Sequence, residues 1–405
     1  MDLVLRRCRL ADRPDPVDIG VAGGRIVAVE PVPDLDAAVE DVAGRLVLPG
    51  FVDSHLHLDK ACLLDRCGHG HGDLAAAIRA VSAAKRDFTE DDVYARGARV
   101  LEQAIVQGTT RIRTHVEVDP RVALRSFEAI RRLKRDYGWA VELSICVFPQ
   151  EGLTNDPGTE ALLVEALETG ADALGGCPYT DTDPHEQIAR LFALARRFDL
   201  DLDFHVDFDL DPAWTHLAEI VRQTDAHGWG GRVAIGHVTK LSAMPAARRD
   251  AIARQLAAAG VALTVLPATD LYLMGRGHDH HVPRGLAPAH LLAGHGVTCS
   301  IATNNVLNPF TPFGDCSLLR MANLYANAAQ VGPDGFAACL DLVTASPARL
   351  MNLRDYGIAP GNPADLVVLD APDGPTALAT IAQPLTGFKN GRRSFRRPAP
   401  SLLKP

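Results

Sequence analysis

The fold turns on one stretch, Gly50-Phe51-Val52-Asp53-Ser54-His55-Leu56-His57-Leu58-Asp59-Lys60. An apolar run from Leu46 to Val52 leads straight into two histidines spaced i, i+2. On a β-strand that spacing puts both imidazoles on one face, because side chains alternate with period two. Two same-face nitrogens at the C-terminal end of a strand can share a metal ion, and neutral imidazole is the commonest protein ligand. The competing reading is a pair of polar residues where the chain leaves the core.

Outward from this stretch, apolar strand candidates alternate with Ala-, Leu- and Arg-rich helical stretches such as 91–107 and 184–198. The strand candidates after the opening one are 110–118, 141–148, 171–177, 202–207, 232–237, 261–266 and 297–303. Alternating β and α units imply a parallel sheet, and about eight of them imply a closed (β/α)8 barrel of the TIM type, here over residues 48–351. An open doubly wound sheet is the alternative, but no Gly-rich phosphate loop follows any strand. The two ends of the chain, 1–47 and 352–405, read instead as short strands with tight turns. Gly23-Gly24 between two apolar runs and Asn390-Gly391 near the C-terminus are hairpin signals. They predict a small β-sandwich domain built from both termini.

The chain has 405 residues, 47% hydrophobic and 22% charged, the profile of a globular α/β enzyme rather than a disordered chain. A net charge of −9 and the lack of a basic stripe argue against a nucleic-acid partner. No apolar run has the length of a membrane span, and the N-terminus lacks that of a signal peptide. The eight cysteines are scattered without a CxxC pair, so neither a disulfide framework nor a zinc ribbon is indicated. A cytoplasmic setting follows, with a homo-oligomer left open.

Polar residues recur where the strands of a barrel carry their chemistry, at the C-terminal ends. The second strand candidate ends Arg113-Thr114-His115-Val116-Glu117, and the third runs into Phe148-Pro149-Gln150-Glu151-Gly152. The fifth gives His205-Val206-Asp207-Phe208-Asp209, the sixth Gly236-His237 and the eighth Thr303-Asn304-Asn305. Taken singly, each reads as a satisfied core group or a helix N-cap. Their agreement across five strand ends points to a site.

These motifs resemble the amidohydrolase superfamily, and within it the cytosine deaminase and N-isopropylammelide aminohydrolase groups. The resemblance extends over nearly the whole chain, through Asp203-Phe204-His205, Asn308-Pro309-Phe310-Thr311-Pro312-Phe313-Gly314 and Ala364-Asp365-Leu366-Val367. It implies one divalent metal ion, zinc first and iron as the alternative, held by His55, His57 and His205. His237 would orient the water on the metal or a substrate oxygen, and Gln150 would hydrogen-bond the substrate ring. The implied activity is metal-dependent hydrolysis of a C–N bond in a small nitrogen heterocycle such as a cyclic amidine, ureide or lactam.

Three positions depart from the family pattern. Its strand-eight aspartate is here Asn304, its glutamate after the strand-five histidine is Phe208, and a second ring-contacting aspartate is Asn305. Three histidines still suffice to hold a metal with an open position. Acid–base work then needs another group, and Asp207 is the candidate if the strand continues past His205, with Asp209 and His237 behind it. Asn304 can position the water but cannot take its proton. Lys60 and Arg276 are candidate substrate contacts, suited to an anionic substituent. His69 and His71, in a Gly-rich loop, are either metal ligands or solvated side chains. Two other readings stay open: expulsion of another leaving group such as sulfide, and a decayed hydrolase scaffold that only binds.

Overall fold

The computed structural model describes residues 1–33, 37–67, 72–398 and 400–403; His69 and His71 lie outside them. Eight parallel strands form the central sheet in sequential order: β6 (Phe51–Leu56), β7 (Thr109–Glu117), β8 (Glu142–Phe148), β9 (Ala173–Gly176), β10 (Asp201–Val206), β11 (Val233–His237), β12 (Val261–Val265) and β13 (Cys299–Ile301). Every residue of β6, β7, β11 and β12 is buried, as expected of strands covered on both faces. The sheet closes through a bridge between Leu56 and Asn304. There the Asn304 amide donates to the His55 carbonyl at 2.8 Å and the His57 amide to the Asn304 carbonyl at 2.9 Å. The seam of the barrel thus lies at the His-x-His motif itself.

Local chemistry sets the helices between these strands. Helix Glu90–Val106 starts at Thr89, whose hydroxyl accepts from the Asp92 amide, with three acidic residues in the first turn. Helix Pro184–Phe198 has Asp183 as its N-cap and proline in its first turn.

Two four-stranded sheets come from the ends of the chain. One is ordered β3-β2-β1-β4 and built from β1 (Leu3–Cys8), β2 (Val17–Ala22), β3 (Arg25–Val29) and β4 (Ala38–Asp41). The other is ordered β16-β15-β14-β5, from β5 (Leu46–Pro49), β14 (Leu366–Leu369), β15 (Pro384–Lys389) and β16 (Arg392–Arg396). They share a core of their own that includes Leu5, Ile19, Ile26, Val47, Leu366 and Phe388. Both glycine turns hold positive φ at their two central residues, Gly23 and Gly24 in one and Asn390 and Gly391 in the other.

The apolar run 46–52 is not one strand. It divides at Gly50 between the terminal sheet and the barrel. A Cβ at Gly50 would lie 2.2 Å from Thr110 Cγ2, so only glycine lets the chain pass there. None of the helices among the described residues is long and apolar enough to cross a membrane.

Candidate metal centre and active site

His55 and His57 leave the end of β6, and His205 faces them from β10. The Nε2 atoms of His55 and His205 lie 3.0 Å apart, and those of His57 and His205 3.2 Å. Two nitrogens bound to one tetrahedral metal at about 2.0–2.1 Å would be separated by roughly 3.3 Å. All three rings are at most 2% exposed. Burial drives each imidazole well below its ordinary pKa, helped by His115 at His55 and His205 and by Lys60 at His57. Neutral rings cannot all satisfy one another as donors, and the Nδ1 atoms of all three have no partner. Neutral Nε2 atoms brought together in this way are what a divalent ion requires.

A fourth imidazole stands behind them. His115 on β7 stacks on His55 with ring centres 3.8 Å apart. His55, His115 and His205 bring possible ligand atoms within 4.8 Å of one another. His115 Nε2 lies 3.6 Å from the Asp203 carboxylate, which Arg113 also contacts at 3.0 Å.

His237 closes the other side, 5.7 Å from the His205 ring and 6.1 Å from that of His55. Its Nδ1 is 2.7 Å from Asp270 Oδ1, while Asp270 Oδ2 accepts from the Leu266 amide at 3.1 Å. Burial pushes the Asp270 carboxyl up, against the opposing pull of His237. Asp270 therefore fixes one nitrogen of His237 and leaves Nε2 for the site. Phe208 lies flat on the His237 ring, 3.7 Å between centres and 19° between planes.

The remaining sequence candidates distribute unevenly. Asn304 is fully buried, and neither its Oδ1 nor its Nδ2 has a partner. Asn305 Oδ1 accepts from Asn308 Nδ2 at 2.7 Å. Lys60 Nζ donates to Glu117 at 2.7 Å and to Gln150 Oε1 at 3.2 Å, and Gln150 Nε2 donates to Cys177 Sγ. Arg276 sits apart, at the rim of a cavity of about 650 Å³ that Phe208 also lines.

Asp207 is placed differently from the sequence expectation. β10 stops at Val206, and Asp207 takes a left-handed φ of 51° instead of continuing the strand. Its Oδ1 meets His216 Nδ1 at 2.8 Å and accepts from the His216 amide at 3.1 Å. The shared face with His205 that would carry its carboxylate to the metal is not formed. Asp209 pairs with Lys240 at 3.1 Å.

Four neighbours of the site went unassigned from sequence. Asp270 lies beyond the seventh strand, inside the short helix Pro267–Leu273, where no strand-end motif marks it. Glu117 and His115 stood in a quoted strand-end motif without a role. Lys85, buried on Glu117, carries no local signal at all.

An eight-stranded parallel barrel with converging histidines at its strand ends defines a metal-dependent hydrolase. The model described as the Amidohydrolase family matches residues 38–144 and 131–386, and the chain belongs to that family. Its structure is similar to that of 5-methylcytosine deaminase from Klebsiella pneumoniae, with a TM-score of 0.93 and 27% identity over 99% of each chain. N-isopropylammelide isopropylaminohydrolase from Burkholderia multivorans ATCC 17616 gives 0.85 and 30%, covering 98% of this chain and 99% of that one. A pterin deaminase of Rhizobium rhizogenes is 31% identical over 365 residues, 87% of this chain and 82% of its own. The chain is an enzyme hydrolysing a C–N bond of a small nitrogen heterocycle.

Proposed function

We propose that this enzyme is an aminohydrolase that releases ammonia or an amine from a ring carbon of an amino-substituted heterocycle. His55, His57 and His205 hold one divalent ion, zinc before iron. The convergence of their three buried Nε2 atoms carries this reading. When bound, the ion supplies Lewis acidity and an acidified water with a pKa near 7.

The protein's own groups supply the rest. His237, with Nδ1 held on Asp270, takes a proton at Nε2 and returns it to the departing nitrogen. This geometry favours His237 over Asp207, whose Oδ1 is held by the His216 ring and amide and whose strand ends before it. Asn304 orients groups through an amide that has no other partner. Gln150 and Lys60 form one wall, and Phe208, stacked on His237, holds that imidazole in place. Burial of all these side chains excludes bulk water from the reacting centre.

The barrel, which begins at Phe51 after the terminal-sheet strand Leu46–Pro49 and not at residue 48, carries this chemistry. Eight free cysteines fit a reducing cytoplasm.

The test is ammonia release from cytosine, 5-methylcytosine, amino-triazines and pterin, alongside elemental analysis of the same preparation. About one metal per chain and turnover of at least one ring are expected. Cytosine itself should be poor, because Phe208 has no acceptor for its ring N–H and Asn305 Oδ1 is already engaged by Asn308 Nδ2, and a buried unpaired donor costs about 1–3 kcal/mol. Metal-free protein with no ammonia from any ring would refute the reading.

A further inference from the structure

The barrel mouth holds a cavity of about 650 Å³ that the chemistry above does not use. Its inner wall is Phe208, so it begins one ring thickness from His237. Leu74 and Ile78 line it from helix Leu74–Ala84, with Leu210 and Leu273 across from them. Leu273 and Phe208 are each 3% exposed, so the floor is a packed apolar surface.

Charge enters only at the rim, and it is unbalanced. Asp73 is spent on capping its helix, accepting from the Ala76 amide at 2.9 Å. Asp209 is paired with Lys240 at 3.1 Å. Arg276 rests its guanidinium 4.2 Å over the Tyr272 ring and donates from Nε to the Tyr272 carbonyl. Among the ion pairs of the described residues, it has no carboxylate. An apolar channel ending at an uncompensated guanidinium suits an alkyl chain with an anionic end.

We propose that this cavity binds a side arm of the substrate, a few carbons long and ending in a carboxylate, carried by the heterocycle that reacts at the histidines. The proposal rests on the aminohydrolase reading for the identity of the ring. It makes Phe208, whose ring is stacked on His237, the partition between the two compartments, with the reacting ring at the histidines and the arm running past Phe208 into the cavity.

Calorimetric titration of the metal-containing enzyme tests it with two parent rings, pterin and cytosine. Each is used bare, with a butyl arm, and with a 4-carboxybutyl arm. In at least one parent, the butyl arm should lower Kd about tenfold, by burying methylenes. The carboxylate should lower it about threefold further, the scale of an exposed ion pair. Arg276→Met should erase the carboxylate step and Arg276→Lys retain part of it. Ile78→Trp, which fills the cavity from a half-buried position, should erase the butyl step.

Equal binding of bare and armed rings in both parents overturns the proposal, as does an arm effect that survives Ile78→Trp. Ammonia release from the bare rings is scored separately. Arm-dependent binding without any turnover leaves the arm site standing and removes the aminohydrolase reading. Turnover without arm dependence does the reverse.

Discussion

Two buried polar clusters occupy the same end of the barrel, and they are built on opposite principles. In one, His55, His57, His115 and His205 crowd together, each with an Nδ1 that has no hydrogen-bond partner, and the Nε2 atoms of His55 and His57 face that of His205. In the other, Lys85 Nζ sits within 2.8 Å of Glu117, 2.5 Å of Asp119 and 2.8 Å of Glu151. Those three carboxylates also bring oxygens within 4.8 Å of one another, the spacing of a cation site, but a lysine already stands among them. Buried polar groups are nearly always satisfied in a folded protein, so the exceptions call for a ligand. The contrast assigns binding to the histidines and scaffolding to the lysine, although both clusters are polar and largely buried.

The sharpest way to break this contrast is His205→Asn. It should reduce bound metal to well below one per chain and activity by about 10³-fold or more, while thermal unfolding changes little. Elemental analysis and calorimetry on one preparation check both halves. A large loss of stability with the metal retained would reverse the assignment.

Lys85→Met should behave in the opposite way. It removes the cation shared by Glu117, Asp119 and Glu151 and leaves Glu117 with Lys60, and breaking a buried pair typically costs about 3–5 kcal/mol, while metal content of the folded protein stays intact. The acid limb of stability is a related readout. Burial would raise Glu117, yet Lys60 and Lys85 outweigh it and hold its pKa at about 2 against an ordinary 4.5. A carboxyl depressed in the folded state stabilises fully above its unfolded pKa, so this contribution disappears as pH falls from 4.5 to about 2. Near-UV circular dichroism should show acid unfolding of Lys85→Met at a higher pH than wild type.

Within the histidine cluster, His237→Asn should lower kcat by about 10²-fold with metal content unchanged. Asp207→Asn separates the two acid–base candidates, since it breaks the contact to His216 and should register first in stability. Equal kcat losses in the two variants would return Asp207 to the mechanism. The smallest effect is expected from Asn304→Asp. An anionic side chain in place of an unpartnered amide should tighten metal retention about tenfold in a chelator competition.

The barrel is legible in the sequence because buried parallel strands read as apolar runs, and a run of β and α units admits few architectures. Strand ends are harder to read. The run 46–52 looks continuous because both halves are apolar, yet Gly50 is where packing against Thr110 divides it between two sheets. At 202–207 the alternation carries through Asp207, but a left-handed residue ends the strand one position earlier. A single backbone angle there redirects a carboxylate, and period-two pattern has no information about it.

The sequence by itself determined the kinds of groups present and their strand positions: His55 and His57 on one face, and His205 and His237 at later strand ends. Local geometry makes that possible, because the period of a strand is the same in every protein. Only the tertiary structure decided which groups are satisfied and which are left open. Asp270 reaches His237 across 33 positions, Lys85 reaches Glu117 across 32, and Asn304 reaches the His55 and His57 backbone by closing the barrel. Whether a buried nitrogen has a partner depends on residues distant in sequence, and that difference separates the metal centre from the ion-pair scaffold beside it.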